Sequence, residues 1–125
     1  MLLSLMTRYQ SLIDHRFAAL ADPTRRAMVE RLSQGPAPVS DLAAPFDMAL
    51  PTVMQHLKVL EASGVIRSSK TGRVRTCELQ PAALRGIESW LAAQVRLWES
   101  RLDRLDELAL RLAREEQLAK EKQDE

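Results

Sequence analysis

Residues 48–79, MALPTVMQHLKVLEASGVIRSSKTGRVRTCEL, constrain the fold more than any other stretch of this chain. At 100° per residue, Val53, Leu57 and Leu60 fall on one face of a helix, with Leu50 at its edge, and these four are expected to anchor that helix to a core. Pro51 suits the first turn, where a missing N–H leaves no hydrogen bond unmade. Gly64 supplies the stop, because the residue after a helix often takes a left-handed conformation that other residues resist. Two β-rich segments follow at once, Val65–Ser69 and Val74–Leu79, around a Lys70-Thr71-Gly72-Arg73 turn.

The helix face opposite the apolar stripe carries Pro51, Gln55 and Lys58, with Thr52 and Met54 on its flanks. Gln can pair with adenine through two hydrogen bonds, and Thr can bond a base edge or pack on a thymine methyl. Lys58 is long enough for a phosphate. His56 lies between the two faces, where it can reach outward or pack with one nitrogen satisfied. In isolation such a face is an ordinary solvated surface; the segment that follows gives it another meaning. From Val65 to Thr76 the charged residues are Arg67, Lys70, Arg73 and Arg75, all positive, in a chain whose net charge is only +1. Charge on an edge hairpin also guards against aggregation, but that purpose does not require a single sign. A helix and a basic hairpin side by side can touch a groove and its flanking phosphates. The order resembles the recognition helix and wing of a winged helix-turn-helix domain, with Pro51, Thr52, Gln55, His56, Lys58, Lys70, Arg73 and Arg75 as DNA-contact candidates. Alternation aims Arg73, Arg75 and Cys77 to one side of the second strand.

Upstream, Leu5, Tyr9, Leu12, Ile13 and Phe17 recur at helical spacing, giving a first helix that ends near Leu20. Asp22-Pro23 opens a second helix, with Asp22 as its cap, Ala27, Met28 and Leu32 on its apolar face, and Gly35-Pro36 beyond its end. Ser40 is placed to cap a short third helix, Asp41–Phe46, which Pro45 keeps short. Pro81 starts a last helix expected to run to about Glu116. In it Leu84, Leu91, Trp98, Leu105 and Leu112 are spaced by seven, with Ile87, Val95, Leu102 and Leu108 beside them. A helix of that size spans roughly 50 Å, more than a small domain covers alone. A second copy of the chain is the simplest cover, with Leu5, Tyr9, Leu12, Leu91, Trp98, Leu102 and Leu105 as interface candidates. Glu107–Arg111 and Glu116–Lys120 are possible i,i+4 pairs on its exposed side.

The expected architecture is therefore mainly α: residues 1–80 hold an N-terminal helix, a helix-turn-helix and a two-stranded hairpin wing, 81–116 a C-terminal dimerisation helix, and 117–125 a charged, disordered tail. One cysteine excludes an internal disulfide and fits a reducing compartment. No run approaches the ~20 apolar residues of a membrane span, and MLLSLM is too short for a signal-peptide core, so a cytoplasmic location is expected. No Gly-rich phosphate loop and no Ser-His-Asp or Cys-His set is present, so no enzymatic activity and no cofactor are expected.

ALADPTRRAMVERL, VSDLAAPFDM, LPTVMQHLKVLEASGVI and the basic hairpin, in that order, resemble the ArsR-type (ArsR/SmtB) winged-helix repressors over about residues 12 to 100. The resemblance implies a homodimer built from the first and last helices, bound to a palindromic operator on double-stranded DNA, and an inducer that shifts the dimer away from its DNA-binding arrangement. Metal-sensing members carry a Cys-x-Cys-type pair in the third helix or His and acidic ligands in the last. Here Ser40–Phe46 has no thiol or imidazole and the last helix has no His, so no metal site of those kinds is expected. Ala49 stands where members often place a Ser cap. Cys77, on the wing near Arg73 and Arg75, is a candidate redox residue if those charges favour its thiolate; the plainer alternative is a strand residue. Two other functions stay open: a winged-helix protein-interaction module without specific DNA binding, and a constitutive DNA-binding dimer with no inducer.

Overall fold

In the computed structural model, which describes residues 1–123, the elements run α1 (Leu2–Leu20), α2 (Pro23–Leu32), β1 (Ala37–Pro38), α3 (Val39–Ala43), α4 (Leu50–Ala62), β2 (Ile66–Thr71), β3 (Val74–Leu79) and α5 (Pro81–Gln123). The chain divides into two units, residues 1–88 and the helical stretch from Ser89 onward. None of the described helices is long and apolar enough to cross a membrane.

The first unit is a winged helix. Met28, Leu32, Leu42, Val53, Leu57, Leu60, Val65 and Ile66 close its core, and Ala83 and Ile87, from the first turns of α5, are also buried. Of the four α4 residues expected to anchor that helix, Val53, Leu57 and Leu60 are buried but Leu50 is 58% exposed. As the first residue of α4, Leu50 lies before the turn that meets the core. It lines an open concavity with Val39, Met54 and Val74.

Gly64, at φ +80°, ends α4 in a Schellman motif: the Val65 N–H donates to the Leu60 carbonyl and the Gly64 N–H to that of Glu61. At the hairpin tip Gly72 has φ +63° and Arg73 a negative φ, the pattern of a type II′ turn.

Three expected boundaries are corrected. The wing belongs to a three-stranded antiparallel sheet of order β1-β3-β2, not a two-stranded one. Ala37 and Pro38 pair with Cys77 and Thr76 on the outer edge of β3, and Pro38 is tolerated because the edge asks no second ladder bond of it. The third helix starts at Val39, where that pairing releases the chain, so Pro38 and not Ser40 holds the cap position, without a side-chain cap bond. It ends at Ala43, before Pro45. The last helix continues past Glu116 to Gln123. Residues 117–123 are all helix formers without Gly or Pro, and Lys120 reaches Glu116 at 3.9 Å, while the Glu107–Arg111 pair does not close. The rest of the expected tail lies outside the described residues.

Asp22 caps α2 as its sequence position predicts, accepting the Arg25 backbone N–H at 3.0 Å. That bond first, then the charge of Arg25, hold its carboxyl below the ordinary value of 3.8 against the opposing effect of desolvation. A depressed folded pKa means the stabilisation is present above the unfolded value and lost as pH falls through the folded one. Asp22→Ala is thus expected to be less stable than the parent near neutral pH, with the gap closing below about pH 4. Urea unfolding at a series of pH values checks this, and a gap constant with pH would contradict a charged cap.

Candidate nucleic-acid interface

The same packing that buries Val53, Leu57 and Leu60 turns the opposite side of α4 outward. Pro51, Thr52, Gln55 and Lys58 are all exposed, with Pro51 in the first turn of the helix. Ala49 holds the cap position without a side-chain bond. Beside this face stands the β2–β3 hairpin, and a groove between them is lined by Gln55 and Lys58 from the helix and by Ser68 and Arg75 from the strands.

Of the four wing cations, two are spoken for. Arg67 pairs across the ladder with Glu78, at 3.4 Å between exposed side chains; this acid lies just outside the all-positive window of the sequence. Arg75 donates to the Ser68 hydroxyl at 2.9 Å, and that hydroxyl donates to the Glu61 carboxylate at 3.1 Å. A hydrogen-bonded chain from wing to helix therefore holds Arg75 against α4. Among the described residues, Lys70 and Arg73 have no acidic partner within 4 Å. Lys70 and Arg75 are directly opposite in the register. Like charges in such a pair destabilise a hairpin by roughly 0.2–1 kcal/mol relative to neutral neighbours, and an anion bound between them removes the repulsion. Lys70, Arg73 and the exposed end of Arg75 thus form the positive tip, with the apolar side chains of Leu50, Met54 and Val74 between it and the N-terminus of α4. The arrangement offers hydrogen-bonding groups on a helix, apolar contact beside them, and cations at the flank.

His56 takes the inward role. Its Nδ1 accepts from Arg25 Nη1 at 3.2 Å and lies 3.9 Å from Asp22 Oδ2. Because a guanidinium only donates, the ring hydrogen sits on Nε2, and His56 ties α4 to the start of α2. Cys77 also departs from expectation. It does share a strand side with Arg73 and Arg75, but the hairpin foot is covered where the tip is not, and Cys77 is 1% exposed. Burial, and secondarily the Glu61 charge, push its thiol up, with Arg75 opposing only in part. That is the reverse of a reactive thiolate.

Two arginines have roles the sequence did not reveal. Arg25 donates to the carbonyls of Ala19 (2.7 Å) and Ala18 (3.1 Å) as well as to His56, joining the end of α1, the start of α2 and α4. Arg16 donates to the Ser63 carbonyl at 3.2 Å, and its guanidinium lies so close to Gly86 that an added Cβ would meet Nη1 at 2.8 Å. Among the described residues no three His, Cys, Asp or Glu side chains gather where they could hold a metal ion.

Four similarities to known proteins bear on this geometry. A helix-turn-helix domain model matches residues 20–69. The HTH-type transcriptional regulator Rv2034 of Mycobacterium tuberculosis is 40% identical over 84 residues, 67% of this chain and 78% of that one. The transcriptional repressor SdpR of Bacillus subtilis is 29% identical over 79 residues, 63% and 88% respectively. A solved ArsR family transcriptional regulator superposes with a TM-score of 0.71 at 56% identity, covering 73% of this chain and 94% of that one.

Proposed function

From the premise that this chain belongs to the ArsR family of winged helix-turn-helix transcriptional regulators, we propose that it acts as a homodimer that recognises a palindromic operator and represses the adjacent promoter. The carrying observation is the wing tip, where Lys70 stands opposite Arg75 beside an unpaired Arg73, next to an exposed α4 face bearing Thr52, Gln55 and Lys58. Phosphate relieves the first feature and base edges satisfy the second. The role is regulatory and not enzymatic, and it belongs in the cytoplasm, where the operator is.

The dimer follows from side chains the single chain leaves in water. On α1, Leu5, Tyr9 and Leu12 are exposed, and on α5 Leu91, Trp98, Leu102 and Leu105 are between 42% and 61% exposed. Two-fold symmetry then sets recognition helices about one DNA turn apart, roughly 34 Å. Enrichment of bound duplexes from a random pool, followed by a salt titration, tests the whole proposal. An inverted repeat and a steep loss of affinity with salt are expected; binding indifferent to sequence would favour a protein-interaction module.

Individual residues divide by role. Gln55→Ala is expected to relax preference at a single base pair by ~1–3 kcal/mol, because it reads an edge. Arg73→Ala is expected to weaken all sequences alike and lower the salt slope by about 1, because it meets phosphate. Competition titrations against single-base operator variants separate the two, and the opposite assignment of effects would overturn these roles.

A further inference from the structure

Resting on the DNA-binding reading above, we infer that Glu61 and Ser68 are positioning residues that hold Arg75 ready for the operator backbone. Glu61 is an exposed acid one residue from the end of α4, and it lines the groove with Gln55 and Lys58. Two effects disfavour an acid there. A carboxylate in the last turn of a helix opposes the helix dipole, and one beside a phosphate-binding face repels the phosphates. Lys58, three residues earlier, does not neutralise it: among the described residues the two form no ion pair. Instead the Glu61 carboxylate accepts the Ser68 hydroxyl at 3.1 Å, and that hydroxyl accepts an Arg75 N–H at 2.9 Å.

The strand register shows why a serine makes the connection. Ser68 stands opposite Cys77 and Lys70 opposite Arg75, so Ser68 is the diagonal neighbour of Arg75 on the side of the hairpin foot. A hydroxyl both donates and accepts. With its proton given to Glu61, Ser68 presents only lone pairs to the guanidinium. The bond draws Nη1 back from the tip, away from the like charge of Lys70, and leaves the other N–H groups of the fork for an anion. A long arginine loses rotamer freedom when it binds. Here the bonded chain already restricts that freedom in the free protein, which lowers what is lost on meeting phosphate.

Two substitutions that remove the same charge separate this role from plain electrostatics. Glu61→Gln keeps an acceptor for the Ser68 hydroxyl, whereas Glu61→Ala keeps neither charge nor acceptor. In anisotropy titrations of an operator duplex selected with the parent protein, Glu61→Ala is expected to bind roughly tenfold more weakly than the parent. Glu61→Gln is expected to recover most of that loss. Electrostatics alone predicts tighter binding by both, and that result would overturn the inference. Ser68→Ala is expected to match Glu61→Ala, and Ser68→Thr, which keeps the hydroxyl, to recover. In an Arg75→Ala background Glu61→Ala is expected to weaken binding no further; a full effect there would overturn a role exerted through Arg75. A second readout needs no DNA. NMR relaxation of the Arg75 Nε–H is expected to show an ordered side chain in the parent and a mobile one in Glu61→Ala. Mobility already present in the parent would overturn the inference while leaving the DNA-binding reading intact; a parent that binds no duplex would overturn that reading and this inference with it. Because both bonds are exposed, thermal midpoints are expected to stay within about 2 °C of the parent's. A larger fall in Glu61→Ala would make the role one of folding and also overturn the inference.

Discussion

A chain carrying both Trp98→Glu and Leu105→Glu is expected to sediment as a monomer at micromolar concentration and to bind operator DNA at least about 100-fold more weakly than the parent. The two side chains are 61% and 60% exposed in the single chain. A symmetric dimer buries each of them twice. Fully burying a Leu-sized side chain contributes roughly 1.5–3 kcal/mol, so losing four such groups and placing four carboxylates in an apolar seam exceeds what association of this size can absorb. The DNA effect follows from the linkage between half-sites. A dimer that has placed one recognition helix holds the other at high effective concentration, whereas a monomer gains only one half-site. Sedimentation equilibrium and gel-shift titration measure the two effects. Retention of the dimer would place the interface elsewhere, and a lower thermal midpoint for the first unit would show that the seam belongs to its core.

The parts of this molecule that were legible in sequence are those governed by local period and backbone conformation. Val53, Leu57 and Leu60 declare an α4 face through their spacing, Gly64 and Gly72 declare a helix end and a hairpin tip through their φ angles, and Asp22-Pro23 declares a helix start. What sequence does not carry is depth and long-range partnership. Alternation assigned Cys77 correctly to the side of Arg73 and Arg75, but only the packing of the hydrophobic core against the foot of β3 shows that this side is covered there. Arg67 looked unopposed until the register brought Glu78 across from it. Leu50 satisfied the helical period yet sits before the turn that meets the core. Arg16 and Arg25 left no pattern because their acceptors, the His56 ring apart, are backbone carbonyls, which every residue has.

Arg25→Ala is expected to destabilise the folded dimer by about 2–4 kcal/mol. Its Nε satisfies the part-buried Ala19 carbonyl at the end of α1, where a helix favours a cation, and Nη2 adds an exposed bond to the Ala18 carbonyl, which also accepts the Ala21 N–H. Nη1 meanwhile fixes His56 of α4. Removing the group leaves part-buried acceptors on two elements without donors, which costs more than the bonds themselves contribute. Arg26 provides an internal comparison: it too donates to carbonyls, of Leu20 and Ala21, but at the exposed surface and without reaching α4. Water replaces those bonds, so Arg26→Ala is expected to cost less than ~1 kcal/mol. Arg25→Lys is expected to recover less than half of the loss, because one ammonium cannot reproduce a planar fork spanning three acceptors. Urea unfolding at a fixed protein concentration, which holds the dimer contribution constant, compares all three. Equal losses at positions 25 and 26 would mean that the link from α1 to the recognition helix runs through the apolar core alone.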